Sequence, residues 1–151
     1  MASVRQSIIN AVKTRLEGIT IAGGYQTNIG QKVSEWQTYD PNDRELDCIM
    51  FRDPSAKVTD PDEEDDNTEA WHYKNLALQI FVLSSGTTTP ATLRKQIADV
   101  LKAVGVDVTW GHIAIDTTLE GDETQIDQET KKVGASLVTL SIRYKTLKWA
   151  D

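Results

Sequence analysis

Asp116 followed by Glu129, Thr130 and Lys131 has the residue types of a metal-dependent nuclease, in which an Asp on one strand and a Glu-x-Lys on the next hold magnesium and activate water. The spacing permits that chemistry. Glu129, Lys131 and Lys132, however, share a polar run with Asp122, Glu123 and Asp127 that has the composition of a solvated hairpin, so a surface role is preferred and the nuclease is kept as the alternative. Asp60, Asp62 and Glu64 stand at alternate positions, like the first ligands of an EF-hand calcium loop. Asp65 then occupies the place of the required glycine, and Trp71 that of the final bidentate glutamate. Ser84, Ser85 and Gly86 lack the Gly-x-Ser-x-Gly frame of a presented nucleophile, and nothing ties His72 or His112 to them. Gly23 and Gly24 lack phosphate-loop spacing, and Cys48 is a single cysteine with no multi-cysteine zinc pattern around it. No catalytic residue, cofactor or metal is assigned, and an enzyme is not expected.

The frame behind these residues is 151 residues long, the size of one domain spanning 1–151. No apolar run approaches the roughly 18 residues of a membrane span, and the opening MASVRQSIINAVKTRLEG lacks the unbroken apolar centre of a secretory signal. No membrane association or cleaved leader is expected, and the single cysteine fits a reducing compartment. The formal charge is −7, from 16 basic and 23 acidic residues. Its distribution matters more than its total. Between Asp53 and Glu69 lie eight acids and one base, Lys57, so this segment carries the whole excess and the rest of the chain is neutral. Direct sequence-specific nucleic-acid binding is therefore not expected. With two prolines and only Ala56 and Val58 as further aliphatic residues, 53–69 is predicted to be a long, mobile acidic loop, suited to docking a basic partner.

Two amphipathic helices frame the strands. Ser3 and Gln6 have capping-box spacing, and Val4, Ile8, Ala11, Val12, Leu16 and Ile19 form one stripe that ends near Gly18, a candidate left-handed stop. Thr89 and Pro90 open the second helix, whose stripe runs Leu93, Ile97, Val100, Leu101 and Val104 to Gly105. Strands are predicted near Val33–Gln37, over Leu46–Arg52, over Trp71–Ser84 with Leu76, Leu78, Ile80 and Val82 on one face, over His112–Leu119 and over Ser136–Tyr144, with Gly121 and Asp122 at the turn between the last two. The fold class is α+β, a two-layer sandwich of α-β-β-β-α-β-β order with both helices on one face of a mixed, mostly antiparallel sheet. Tyr73, Ala77, Phe81, Ala135, Leu137 and Leu147 then make the other face too apolar to be freely solvated. Copies of the chain are expected to cover it. Trp36, Trp71, Trp110 and Trp149 exceed the needs of a small core, and some are expected to anchor subunit contacts.

Three strings, IAGGYQTNIGQKVSEW (Ile21–Trp36), DVTWGHIAIDTTLEGDETQIDQ (Asp107–Gln128) and RYKTLKW (Arg143–Trp149), arranged around the two helices, resemble the tail terminator, or tail completion, proteins of long-tailed bacteriophages and related prophages. The resemblance covers nearly the whole chain. It implies a structural virion protein without enzyme activity: a ring, generally a hexamer, that binds the end of the finished tail tube, stops its polymerisation and presents a surface to the head–tail connector. The location implied is the head-proximal end of the tail, and the host cytoplasm during assembly. The expected assembly surface combines Tyr73, Phe81 and Leu137 at the subunit contact with Asp62, Glu63, Glu64, Asp65 and Asp66 in the loop, projecting toward a tube or connector neighbour. A head-side neck or connector protein is the alternative within the structural class.

Overall fold

The computed structural model describes residues 3–35, 46–59, 71–85, 88–127, 133–147 and 149. Helix α1 spans Val4–Glu17 and a 3₁₀ turn Ile29–Gln31; strand β1 is Val33–Glu35, β2 Cys48–Val58 and β3 Trp71–Ser84; helix α2 spans Pro90–Gly105, β4 Asp116–Asp127 and β5 Val133–Leu147. The five strands form one sheet in the order β1-β2-β3-β5-β4, parallel between β1 and β2 and antiparallel elsewhere. The fold is the α+β class predicted, in the predicted element order.

One face of the sheet holds the core. Leu76, Leu78, Ile80 and Val82 of β3 and Val138, Leu140, Ile142 and Tyr144 of β5 are buried on it, with Ile49 and Phe51 of β2. Helix α1 adds Ile8, Ile9, Val12 and Leu16, and α2 adds Leu93, Val100, Ala103 and Val104, so both helices lie on this side. Ser3 caps α1 by accepting from the Gln6 N–H. The Gln6 side chain donates forward to Asn10 instead of back, so only half of the capping box forms, and Gly18 closes the helix at φ −80° in the right-handed region. Thr89 caps α2 through the Thr92 N–H, with Pro90 in the first turn.

β2 begins at Cys48 instead of Leu46 and β5 runs three residues further at each end than the expected Ser136–Tyr144, while the largest differences from the sequence reading are in β2 and β4. β2 continues through 53–58, residues expected in the acidic loop, because the 14-residue β3 supplies ladder partners to that point and a register shift between Arg52 and Ser55 accommodates Pro54, which has no N–H to donate. Asp53 is held there by the Arg5 guanidinium at 2.7 Å. The rest of the predicted loop, 60–69, lies outside the described residues. β4 begins at Asp116 instead of His112, and Gly121 and Asp122 fall within it at a second register shift. The cause of the late start is Asp107, whose carboxylate accepts from the Thr109 hydroxyl and N–H and from the Gly111 N–H, winding 107–115 into a turn in which Trp110, Gly111 and His112 all have positive φ. The Thr109 hydroxyl, then the two N–H groups, lower the Asp107 pKa from 3.8 to about 2.

Candidate functional site

The odd-numbered residues of β3 and β5 point away from both helices, and cross-strand pairing orders them into rows. Met50, Phe81 and Leu137 stand opposite one another across β2, β3 and β5, with Glu123 of β4 at the end of the row. Beyond them come Arg52, Gln79 and Thr139, then Ser55, Ala77 and Ser141, then Lys57, Asn75, Arg143 and Asp116. At the far end Tyr73 faces Lys145, and Trp71 faces Leu147. Trp71 and Leu147 are 45% and 44% exposed, whereas Leu76, Leu78, Ile80 and Val82 on the packed face of β3 are fully buried. The sheet therefore carries two apolar or aromatic clusters separated by small and polar rows.

Each aromatic ring of this face has a cation beside it. The Arg52 guanidinium lies 5.5 Å from the centre of the Phe81 ring, Arg143 lies 4.8 Å from that of Tyr73, and the Lys145 ammonium 5.5 Å from that of Trp71 and 5.9 Å from that of Tyr73. Such contacts contribute about 0.5–1 kcal/mol each at exposed sites. They also place the charged ends of these side chains beside the rings, so positive charge is spread across an apolar surface. Arg52 is fixed further by its 2.6 Å hydrogen bond to Gln79 Oε1. Arg143 Nε is buried, with no hydrogen-bond acceptor among the described residues. Thus the open face is cationic and aromatic, although the chain as a whole is acidic.

The structure places Tyr73, Phe81 and Leu137 on this one face but brings only two of them together. Phe81 and Leu137 are direct partners, whereas Tyr73 lies eight residues along β3, roughly 27 Å away at the usual strand rise. Asp62, Glu63, Glu64, Asp65 and Asp66 lie outside the described residues. Of the tryptophans, Trp110 is 1% exposed and belongs to the core, Trp71 is on the open face, Trp149 is fully exposed, and Trp36 lies outside the described residues. Trp110 is thus unavailable to a partner. For the nuclease pattern, Asp116 sits exposed on β4 opposite Arg143, while Glu129, Thr130 and Lys131 lie outside the described residues. Among the described residues no three His, Cys, Asp or Glu side chains converge to hold a metal ion. Ser84 is 2% exposed, which removes it as a presented nucleophile, and His112 is exposed in the turn before β4.

Sequence reasoning missed a set of buried and partly buried polar groups joined to α2 through Gln96 and Asp99. Asp47 accepts from the Ser85 N–H at 2.8 Å, the Thr88 hydroxyl at 3.0 Å and Gln96 Nε2 at 2.9 Å. Thr27, Lys32, Asp47 and Gln96 border a cavity of about 410 Å³. Its acid is already engaged by the chain's own donors, so the arrangement ties the start of β2 to α2. Asp99, 1% exposed, clamps the loop after α1: one carboxylate oxygen accepts from the Gln26 N–H at 3.1 Å and the other from the Thr27 N–H at 2.8 Å and the Thr27 hydroxyl at 2.6 Å. The available signal was two polar residues, Gln96 and Asp99, at helical spacing beside an apolar stripe. Asp99→Ala leaves two backbone donors without their acceptors and should lower stability by about 2–4 kcal/mol. Asp99→Asn should recover only part of this, since its amide nitrogen must face one of those donors; equilibrium urea unfolding of both variants measures the difference.

Among the described residues no helix is long and apolar enough to cross a membrane. In comparisons with known proteins, no family model and no curated sequence matches the chain.

Proposed function

We propose that the chain is a structural virion protein of the tail terminator type: copies form a ring, hexameric by the resemblance, that caps the end of a phage tail tube, ends its polymerisation and offers the surface for head–tail joining. Its partners are then itself, the tail tube protein and the head–tail connector, and it carries out no catalysis. The observation that supports this reading is the open sheet face. A domain with helices on one side only, whose other side presents Met50, Phe81, Leu137, Tyr73 and Trp71, is suited to being completed by its neighbours. A heterologous contact through such a face closes into a ring when the rotation between copies allows.

The test is the assembly phenotype of a phage or prophage that encodes the chain. Its deletion should give tails of abnormal length that fail to join filled heads, and Leu137→Glu should reproduce this with little change in the unfolding transition of the purified protein, because Leu137 lies outside the packed face. Tails of normal length beside leaking heads would transfer the protein to the head side of the joint. Magnesium-dependent DNA cleavage abolished by both Asp116→Ala and Glu129→Ala would replace the structural reading with the nuclease.

A further inference from the structure

Resting on the reading that copies of the chain meet at the open face, we propose that the Trp71–Tyr73 end of that face receives the acidic stretch 60–69 of a neighbouring copy. Three observations carry this. First, the end is a cationic aromatic surface: Lys57 and Arg143 flank Asn75 from β2 and β5, Lys145 faces Tyr73, and Arg143 and Lys145 lie over the Tyr73 and Trp71 rings. Residues 60–69 offer the complementary charge, with seven acids and no base. Carboxylates meeting these cations complete them without displacing the rings, since a cation over an aromatic face keeps its outer side available.

Second, the connection is longer than its task requires. The Thr59 N–H donates to the Tyr73 carbonyl at 2.9 Å, so β2 and β3 remain paired to the edge of the described residues. Strands paired that closely are usually joined by two to five residues. The chain uses 60–70 and fills them with acids. Third, the ladder carries both ends of this connection to the end of the sheet where Lys57, Trp71, Tyr73 and Lys145 stand. Where copies meet at this face, the segment of one reaches the cations of the next, and because donor segment and receiving surface differ, the contact is heterologous and repeats from copy to copy.

The test mixes isotope-labelled and unlabelled full-length chain at low ionic strength, couples carboxylates to amines with a zero-length carbodiimide, and identifies the joined peptides by mass spectrometry. Cross-links from Lys57 or Lys145 to Asp60–Glu69 that pair a labelled with an unlabelled peptide are expected. Links confined to peptides of the same label, or no links at these lysines, would overturn the proposal. A charge-swap pair provides the control. Lys57→Glu with Lys145→Glu, both at exposed positions, and separately Asp62→Lys with Glu63→Lys and Asp65→Lys, should each weaken self-association in sedimentation velocity by on the order of tenfold. Mixing the two variants should restore it. Association unchanged by either swap rejects the acidic contact while leaving the ring reading intact; normal tail length on deletion of the chain rejects the tail-terminator reading itself.

Discussion

Gly30→Ala is expected to cost about 3 kcal/mol or more and to shift the urea midpoint accordingly, although it adds a single methyl group. Gly30 is buried in the 3₁₀ turn that follows the α1 loop, and its N–H donates to the Ile19 carbonyl at 2.9 Å. A Cβ there would stand 2.7 Å from the Ile19 carbonyl oxygen and 2.8 Å from the Ile19 nitrogen, and closer still to the Leu16 carbonyl oxygen. All three obstacles are backbone atoms at the end of α1. No rotamer change relieves them; the turn must move away from the helix, breaking the Gly30–Ile19 hydrogen bond and loosening Ile29 from the core. Gly24→Ala provides the contrast. Nothing lies within 4 Å of its Cβ position, so its cost is confined to its φ of +95°.

The rest of this loop explains why the effect should spread. Ile21 N–H donates to Asn28 Oδ1, Asp99 holds the Gln26 and Thr27 N–H groups, and Lys102 donates to the Gly24 carbonyl while lying 4.9 Å from the centre of the Tyr25 ring. Residues 19–31 are thus tied at both ends to the helices. A shift at Gly30 pulls on α2 through Asp99 as well as on α1. Hydrogen exchange should show the amides of Gln26, Thr27 and Gly30 losing protection together in Gly30→Ala.

What the sequence disclosed follows from how local each signal is. β3 was legible to its last residue because strict alternation from Leu76 to Val82 has one structural solution, and the same alternation exposed the apolar second face. The α2 stripe was legible only in outline. Its buried side includes Gln96 and Asp99, whose partners Asp47, Gln26 and Thr27 lie far away in the chain, while Ile97 and Leu101 are only half-buried. β2 looked finished at Arg52 because acids and a proline follow; only its pairing with β3 and the Arg5–Asp53 contact reveal the continuation. The candidate face shows the same division. Alternation placed Tyr73, Phe81 and Leu137 on one side, but the cations over the rings come from β2 and β5, and only strand register brings them there. Gly30 carried no local signal, since its constraint is the proximity of the α1 terminus.

Trp110→Ala should be about as damaging, with a loss of about 3–5 kcal/mol expected for removing a large buried aromatic side chain. Trp110 is the largest of the fully buried side chains, and its indole joins three elements. Its Nε1–H donates to the Thr117 hydroxyl at 2.8 Å, and that hydroxyl donates to the Val108 carbonyl at 2.8 Å, which ties the turn to the start of β4. Arg15 of α1 lies over the ring at 4.3 Å while donating to the Ala103 and Asp107 carbonyls at 3.3 and 2.7 Å, so the indole also supports the cation that satisfies the C-terminal end of α2. Removing the ring leaves Arg15 without its platform and Thr117 without its donor. Trp110→Phe separates these contributions: it keeps an aromatic surface for Arg15 but cannot donate to Thr117, and should recover more than half of the loss. If Trp110→Phe proved as unstable as Trp110→Ala in urea unfolding, the indole hydrogen bond, and not burial with Arg15 stacking, would govern the site. In either case the open face of the sheet should survive, because none of its rows includes a contact to Trp110; the self-association of the folded fraction is the measurement that separates core from surface.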